Sequence, residues 1–286
     1  MPVRIEHLDY TYMAGTPFEH KALDDVSLEI DDGEFVGVIG HTGSGKSTLI
    51  QIMAGLVKVD PGHVFIDDVD IFAKKADKKW LRRTVGVVFQ YPEYQLFEET
   101  IAKDISYGPK MTGVPEGDIE GRVRVAMELV GIDYDIYKDK SPFELSGGQK
   151  RKIAIAGVLA VEPKILIMDE PIAGLDPMGR ESLMQLVRDL NDTGTTIIMI
   201  SHNMDGLAEY AHRIIALKDS RIVLNGRAED VFSQYDKVRE VGLDLPEACR
   251  LAELMTKKGI YVPPMNIRMN DVLDSIADSI KRGEGR

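Results

Sequence analysis

The order of apolar and polar positions along the chain predicts alternating strands and helices. Residues 3–12 and 22–30 alternate between apolar and polar side chains, the first imperfectly, as strands with one buried face do. Residues 35–39 (FVGVI) form a short, continuous apolar run, which is typical of a strand buried on both faces. Three further runs of this kind cover residues 85–89, 165–168 and 196–200. Because helical patterns separate these runs, we predict an α/β fold whose sheet has a substantial parallel part.

Helical periodicity dominates two other parts of the chain. Strand patterns vanish between about residues 100 and 159, where apolar residues recur with helical spacing, as in residues 120–130 and 149–160. We interpret this stretch as a helical subdomain inserted into the sheet domain. After residue 227, three short amphipathic helices are predicted, over residues 228–241, 245–257 and 270–281.

Composition and charge exclude several classes of protein. The chain has 286 residues, of which 44% are apolar and 29% charged, so it can bury a sizeable core. Its 35 Lys and Arg against 47 Asp and Glu give a formal net charge of −12, which disfavours nucleic acid as the main partner. The single cysteine, Cys249, cannot form an internal disulfide and fits a reducing compartment. The longest aliphatic runs are far shorter than the roughly 20 residues of a membrane helix, so no segment is predicted to cross a bilayer or direct secretion.

A glycine-rich loop follows the first buried run and precedes a helical pattern over residues 46–56. Residues 40–48 (GHTGSGKST) satisfy the pattern G-x-x-x-x-G-K-[ST] in the strand, loop, helix context that it requires. The glycines let successive backbone N–H groups converge on phosphate oxygens, and the helix end adds partial positive charge. We expect Lys46 to reach the β- and γ-phosphates and the Ser47 hydroxyl to bind Mg²⁺.

A second apolar run, residues 165–168, ends in two adjacent acids, Asp169 and Glu170. Carboxylates at the end of a strand that is buried on both faces are costly to bury unless a cation pairs with them. A phosphate-bound Mg²⁺ is such a cation. We expect Asp169 to lie on the magnesium side. Glu170 is predicted to point to the other side of the strand and to polarise a water for attack on the γ-phosphate.

A second glycine-rich turn, residues 145–149 (LSGGQ), opens a helical pattern about twenty residues before the acidic run. Its free N–H groups and helix end offer another anion-binding site. A nucleotide at Lys46 could be contacted by this loop if two copies of such a chain faced each other. Nucleotide binding would then close a dimer, and hydrolysis would open it.

The three motifs in this order, Walker A at residues 40–48, LSGGQ at 145–149 and Walker B at 165–170, resemble the nucleotide-binding domain of ABC ATPases. The resemblance implies a P-loop NTPase with a RecA-like core, an N-terminal antiparallel β subdomain and the inserted helical subdomain of about residues 100–159. We predict an ABC ATP-binding domain over residues 1–240 and a C-terminal helical extension over residues 241–286, a contact between two ATPase subunits.

The resemblance also implies roles for residues outside the glycine-rich loops. Gln90 matches the glutamine that touches Mg²⁺ and relays nucleotide state to a membrane partner. Asp176 matches an aspartate that works across the dimer. His202 matches a switch histidine that holds the γ-phosphate and orients Glu170. With Lys46, Asp169, Glu170 and His202 all present, the resemblance implies an active hydrolase.

The implied nucleotide-binding set combines an aromatic residue with both glycine-rich loops. Tyr12 best matches the aromatic that stacks on adenine, and Tyr10 is close enough to compete. The Walker A residues are Gly40, His41, Thr42, Gly43, Ser44, Gly45, Lys46, Ser47 and Thr48. The signature residues are Ser146, Gly147, Gly148 and Gln149. Ser47, Gln90 and Asp169 form the implied Mg²⁺ site.

Residues 91–101 (YPEYQLFEETI) follow Gln90 and are aromatic and acidic, with Glu93, Glu98 and Glu99. In importers of the ABC superfamily this region forms the groove that receives the coupling helix of a membrane subunit, and an acidic, aromatic groove suits a basic, amphipathic helix. This stretch, together with residues 40–43 (GHTG) and the C-terminal extension, is similar to the ATP-binding subunits of energy-coupling factor transporters, above all the EcfA2 (EcfA prime) type.

That resemblance implies partners and a location. It implies pairing with an EcfA1-like ATPase, docking on the membrane protein EcfT through residues 90–99, and indirect contact with a membrane subunit that binds a vitamin or a transition-metal ion. The chain would then lie peripherally on the cytoplasmic face of the cell membrane. Two alternatives stay open: the homodimeric ATPase of a cobalt or nickel ABC transporter, and an ABC ATPase with no transport role.

Overall fold

The computed structural model describes residues 3–281, which alternate between strands and helices. The strands in this part of the chain are β1 Val3–Tyr12, β2 His20–Ile30, β3 Phe35–Gly40, β4 Val64–Ile66, β5 Val69–Asp70, β6 Val85–Val88, β7 Ile165–Asp169, β8 Thr196–Ile200, β9 Arg213–Lys218 and β10 Arg221–Arg227. The helices are α1 Lys46–Met53, α2 Lys78–Thr84, α3 Ile101–Thr112, α4 Glu116–Leu129, α5 Tyr134–Tyr137, α6 Gly147–Leu159, α7 Pro177–Asp192, α8 Met204–Tyr210, α9 Ala228–Phe232, α10 Tyr235–Glu240, α11 Glu247–Lys257 and α12 Met269–Lys281.

These elements form two compact units. Of the described residues, the first unit contains 3–6, 28–34 and 49–199, and the second contains 7–27, 35–48 and 200–281. In the first unit, β8, β7 and β6 are neighbours in that order, and β6 runs parallel to β7 with Val85 opposite Ile165. Residues 165–168 are completely buried, as the continuous apolar run predicts. The start of β1 pairs antiparallel with β4, which pairs antiparallel with β5.

The helical stretch predicted between residues 100 and 159 is confirmed as α3 to α6. Helices α3, α4 and α6 pack on one another within the first unit. Thr100 caps α3 by accepting from the backbone N–H of Lys103. Helix α6 begins at Gly147, two residues earlier than the apolar pattern suggests, so the glycines of the LSGGQ turn form its first turn.

In the second unit, β3 runs parallel to β9, and β9 pairs antiparallel with β10. Every residue of β3 is buried, in agreement with its continuous apolar pattern. The sequence pattern did not single out β9, although its residues 214–217 are fully buried apolar side chains. Nor did it identify β10, whose residues alternate between exposed and half-buried.

The C-terminal helices differ from the prediction at one point. Residues 228–241 form two helices, α9 and α10, rather than one, and Gln234 leaves the helical conformation between them. Phe232 and Val238 are both completely buried, although six helical positions place side chains on different faces. The break therefore lets both residues reach the core. Helices α11 and α12 pack around a core of Ala248, Ala252, Val262 and Val272. Within residues 3–281, no helix combines the length and the apolar character needed to cross a membrane.

Candidate functional site

The predicted phosphate loop runs from the end of β3 to the start of α1, and its backbone needs glycine. Gly40, Gly43 and Gly45 have φ values of 154°, 82° and 104°, which L side chains rarely adopt. A Cβ at Gly40 would collide with the Leu217 carbonyl oxygen, and one at Gly45 with the Ala22 carbonyl oxygen. The surrounding backbone therefore requires glycine at Gly40 and Gly45, and a glycine-rich loop of this kind can offer its N–H groups to an anion.

Two polar side chains complete the loop. The Lys46 ammonium is buried and donates to the carbonyl oxygens of Gly40 at 2.6 Å and His41 at 2.9 Å. The Ser44 hydroxyl is completely buried and has no hydrogen-bond partner among the residues that the structure describes. An unpaired buried hydroxyl costs about 1–3 kcal/mol, so the loop is suited to a ligand that supplies acceptor oxygens, as a phosphate does. Ser47, in the first turn of α1, is exposed and available to a metal ion.

The two tyrosines that compete for the adenine differ in their contacts. The Tyr12 hydroxyl lies 3.3 Å from the Thr48 hydroxyl, which belongs to the first turn after the phosphate loop. Tyr10 packs edge-on against Tyr12, with ring centroids 4.9 Å apart and an interplanar angle of 87°. The structure therefore ties Tyr12 to the phosphate loop directly and Tyr10 only through Tyr12.

His202 belongs to the same unit as the phosphate loop and is exposed in the short link between β8 and α8. On either side of it, the Ser201 hydroxyl accepts from the backbone N–H of Asn203 at 3.0 Å, and Asn203 caps α8 by accepting from Gly206. Local hydrogen bonds therefore hold the link that carries the exposed His202.

The first unit carries the acidic pair. Asp169 is the last residue of β7, so it stands at the carboxyl end of a buried strand, as predicted. Glu170 lies outside the strand and has a φ of 47°, in the left-handed region. Strand alternation ends one residue before Glu170, so the side of the strand to which its carboxylate points stays a prediction. A left-handed glutamate costs about 1–2 kcal/mol, a strain often found at functional sites.

Asp176 and the signature residues begin helices α7 and α6 in this unit. The Asp176 carboxylate accepts from the backbone N–H of Gly179 at 2.7 Å. The Ser146 hydroxyl caps α6 by accepting from the N–H of Gln149, whose side chain accepts from the Ser146 N–H in return. A Cβ added at Gly147 or Gly148 would meet nothing within 4 Å, so this helix start presents open backbone to an approaching group.

Gln90 is exposed two residues after the end of β6, and a short turn, Pro92–Gln95, follows it. Glu93 in this turn accepts from the Arg151 Nε at 3.1 Å, and the Arg151 Nη1 donates to the Ala173 carbonyl oxygen at 2.7 Å. The Arg151 side chain is 5% exposed. One arginine therefore joins the turn after Gln90, the signature helix and the chain before Asp176.

Sequence reasoning missed Arg151. The available signal was its position four residues before Ile155 and eight before Leu159, which places a cation on the apolar stripe of α6. A charge on such a stripe indicates a buried ion pair, since an unpaired charge is too costly to bury.

Replacing Arg151 by Met is expected to lower the free energy of unfolding by about 3 kcal/mol. The variant leaves the Glu93 carboxylate, 18% exposed, without its partner and the Ala173 carbonyl without its donor. Urea denaturation would measure the effect. Lys152→Met, at a half-exposed position of the same helix, is the matched control and should change stability by less than about 0.5 kcal/mol. Equal losses in the two variants would contradict this account of the ion pair.

The acids predicted to make a groove after Gln90 are largely engaged. Besides Glu93, Glu99 pairs with Lys103 at 2.8 Å, and this hydrogen bond lowers the pKa of the Glu99 carboxyl. Two aromatic side chains of the segment are strongly exposed, Tyr94 by 85% and Phe97 by 56%. Phe97 also packs edge-on against the ring of Tyr107 on α3.

The chain is similar to known ATP-binding proteins. A family model described as "ABC transporter" matches residues 23–173. The energy-coupling factor transporter ATP-binding protein EcfA2 of Clostridium acetobutylicum is 54% identical over 92% of each chain. The protein of the same name from Clostridioides difficile is 48% identical over 100% of this chain and 99% of the relative.

Solved structures agree with these relatives. The cbiO1 protein from Clostridium perfringens, described as part of the ABC transporter complex cbiONQ, has a TM-score of 0.72 and 38% identity, covering 89% of this chain and 98% of that one. A dimeric ATP-binding cassette in a post-hydrolysis state with ADP and phosphate has a TM-score of 0.70 and 30% identity, covering 79% and 98%. The chain therefore belongs to the ABC transporter ATP-binding proteins, among the EcfA2-type ATP-binding subunits of energy-coupling factor transporters.

Proposed function

We propose that this chain binds and hydrolyses ATP to drive an energy-coupling factor importer. The observation that carries the proposal is the construction of the phosphate loop. Glycines stand where neighbouring carbonyl oxygens leave no room for a Cβ, and a buried serine hydroxyl lacks a partner among the described residues. Lys46 and the loop N–H groups, of residues 40–48, hold the phosphates, and Tyr12 stacks on the adenine.

Ser47, Gln90 and Asp169 hold Mg²⁺ in this proposal. Hydroxyl, amide and carboxylate oxygens are the ligands that Mg²⁺ accepts beside phosphate and water. When bound there, Mg²⁺ would neutralise charge that develops on the phosphate oxygens during transfer. Asp169 suits this role because it closes a buried strand, where a carboxylate needs a cation.

The remaining residues serve hydrolysis and dimer closure. Glu170 accepts a proton from the attacking water. His202 orients Glu170 and binds the γ-phosphate. The open backbone at Gly147 and Gly148, with Ser146 and Gln149, receives the nucleotide of a second ATPase subunit. Asp176 works across the same interface. Its capping bond to Gly179 supports this by holding the carboxylate at the start of α7.

The second ATPase is an EcfA1-like subunit, so the pair is a heterodimer peripheral to the cytoplasmic face of the cell membrane. An EcfT-like membrane subunit docks on residues 90–99, and a further membrane subunit selects the vitamin or transition-metal ion. Residues 1–240 form the ATP-binding domain in this proposal. The extension over residues 241–286 contributes to ATPase pairing, and its exposed apolar side chains, among them Leu254, Leu273 and Ile280, support that role.

Co-purification from detergent-solubilised membranes tests the partners. A tagged chain is expected to bring down a second kind of ATPase subunit and a membrane subunit, identified by mass spectrometry. One kind of ATPase subunit would favour the homodimeric cobalt or nickel transporter, and no membrane subunit would favour an ATPase outside transport.

Replacing Tyr94 and Phe97 together by Ala is expected to reduce recovery of the membrane subunit at least about tenfold, since exposed aromatic side chains carry much of the binding energy of an interface. ATP hydrolysis by the isolated ATPase should not change. Phe18→Ala removes an aromatic that is 79% exposed in the other unit and is the matched control. Full recovery with the double variant would argue against this docking surface.

A further inference from the structure

A strongly basic segment stands out in this acidic chain. Six of the ten residues 74–83 are basic against one acid, Asp77, whereas the whole chain has a net charge of −12. The six are Lys74, Lys75, Lys78, Lys79, Arg82 and Arg83. All six side chains are exposed, and within residues 3–281 none of them forms an ion pair.

The one acid of the segment is engaged elsewhere. The Asp77 carboxylate caps α2 by accepting from the backbone N–H groups of Lys79 at 2.8 Å and Trp80 at 3.1 Å. It satisfies the helix start rather than a lysine ammonium. No acid within residues 74–83 therefore pairs with the six basic side chains, and the segment keeps an excess of positive charge.

Two of these cations, Lys79 and Arg83, line a cavity of about 610 Å³ in the first unit. Two further cations, Arg122 and Lys164, reach it from α4 and from the residue before β7. The lining also includes Asp67, Asp77, Trp80, Thr84, Thr112 and Glu162. Four basic side chains from three parts of the chain thus converge on one concave space.

The other acids of the cavity are paired. Lys164 donates to Asp67 at 2.7 Å, which raises the pKa of the Lys164 ammonium, and Arg122 lies 3.0 Å from Glu162. Among residues 3–281, Lys79 and Arg83 therefore remain as the two cations of the lining with no acidic partner. Their N–H donors are free to bind an anion.

The loop after α3 makes room for Lys79. Gly113 has a φ of 79°, and a Cβ there would collide with the Lys79 Nζ. The positive φ favours glycine at this turn, and a side chain here would push the flexible Lys79 ammonium away from the backbone at the cavity wall.

We propose that this cavity binds a small anion carrying several negative charges, of the polyphosphate class. Its volume lies within the range of about 300–1,000 Å³ that is usual for small-molecule sites. Concave placement of the cations favours a compact ligand over a flat anionic surface. Lysine and arginine bind phosphate oxygens through charge-assisted hydrogen bonds, and the half-buried indole of Trp80 offers an apolar wall.

The tryptophan makes the proposal testable, because Trp80 is the only tryptophan of the chain and lines the cavity. The probe is inorganic tripolyphosphate, titrated into the full chain while Trp80 emission is recorded. All samples carry Lys46→Ala to weaken binding at the phosphate loop. A failed titration therefore counts against this cavity and leaves the ATP-binding proposal untouched.

A saturable change in emission is expected. Lys79→Gln combined with Arg83→Gln should weaken binding at least about tenfold through the loss of two charge-assisted contacts. The matched control, Lys74→Gln combined with Lys75→Gln, removes the same charge from the segment outside the cavity and should weaken binding less than about threefold. All four positions are exposed, so the fold should tolerate both pairs, which thermal unfolding checks.

Three results would overturn the proposal. The first is the absence of a saturable change. The second is that the Lys79 and Arg83 substitutions weaken binding no more than those of Lys74 and Lys75. The anion would then be attracted only by the net positive charge of the segment. The third is emission that responds to vesicles of phosphatidylcholine with phosphatidylglycerol, and not to tripolyphosphate or to phosphatidylcholine alone, which would make the segment a contact for anionic membranes.

Discussion

Replacing Glu170 by Gln is expected to slow ATP hydrolysis by about two orders of magnitude or more, while ATP binding changes little. The amide has the size and shape of the carboxylate but cannot accept a proton from water. General-base catalysis typically contributes about a hundredfold to ten-thousandfold. Phosphate release measures turnover, and equilibrium dialysis with labelled ATP measures binding.

A second left-handed glutamate provides the control for this variant. Glu162 has a φ of 56° and lies before the acidic strand rather than after it. Glu162→Gln removes the same charge at a similarly strained position, so it separates chemistry from backbone strain. We expect it to leave hydrolysis nearly unchanged. Turnover by the Glu170 variant close to that of the unaltered chain would contradict the role of Glu170 as the base.

Lys46→Ala is expected to weaken ATP binding itself, by about tenfold to a hundredfold. The lost ammonium makes charge-assisted hydrogen bonds, each worth about 1.5–3 kcal/mol. The substitution also removes the two hydrogen bonds from Lys46 to the carbonyl oxygens of Gly40 and His41, which hold the loop in place. Lys58→Ala, at an exposed position, is the control. Equilibrium dialysis distinguishes the two lysines.

The two variants together separate binding from chemistry. The Glu170 variant is expected to retain nucleotide and hold it, whereas the Lys46 variant is expected to lose it. In the proposed heterodimer, the first should therefore accumulate as a closed, ATP-bound pair with its partner, which size-exclusion chromatography detects. Unaltered ATP affinity in the Lys46 variant would contradict the phosphate-loop assignment.

Motif chemistry was readable from the sequence because it is local. The phosphate loop, the acid pair and the signature turn each consist of consecutive residues, so their spacing identifies the motifs. The buried strands at residues 35–39, 165–168 and 196–200 were equally readable, since their continuous apolar runs leave no polar face for solvent, whereas the buried strand β9 was missed.

Boundaries and breaks were less predictable. The split of residues 228–241 into two helices depends on burying both Phe232 and Val238, which is a property of the core around them. The left-handed backbone at Glu170 could likewise not be predicted from the sequence, because a glutamate side chain does not favour a positive φ.

The sequence by itself determined the three motifs, the α/β character and the helical stretch between residues 100 and 159, because each depends on neighbouring residues or on periodicity. Only the tertiary structure decided which distant groups meet. It joined Arg151 to Glu93 and Ala173, tied Tyr12 rather than Tyr10 to Thr48, and brought Lys79 and Arg83 to one cavity with Arg122 and Lys164. Such contacts depend on how whole elements pack, and the sequence does not indicate which distant residue a charged side chain will contact.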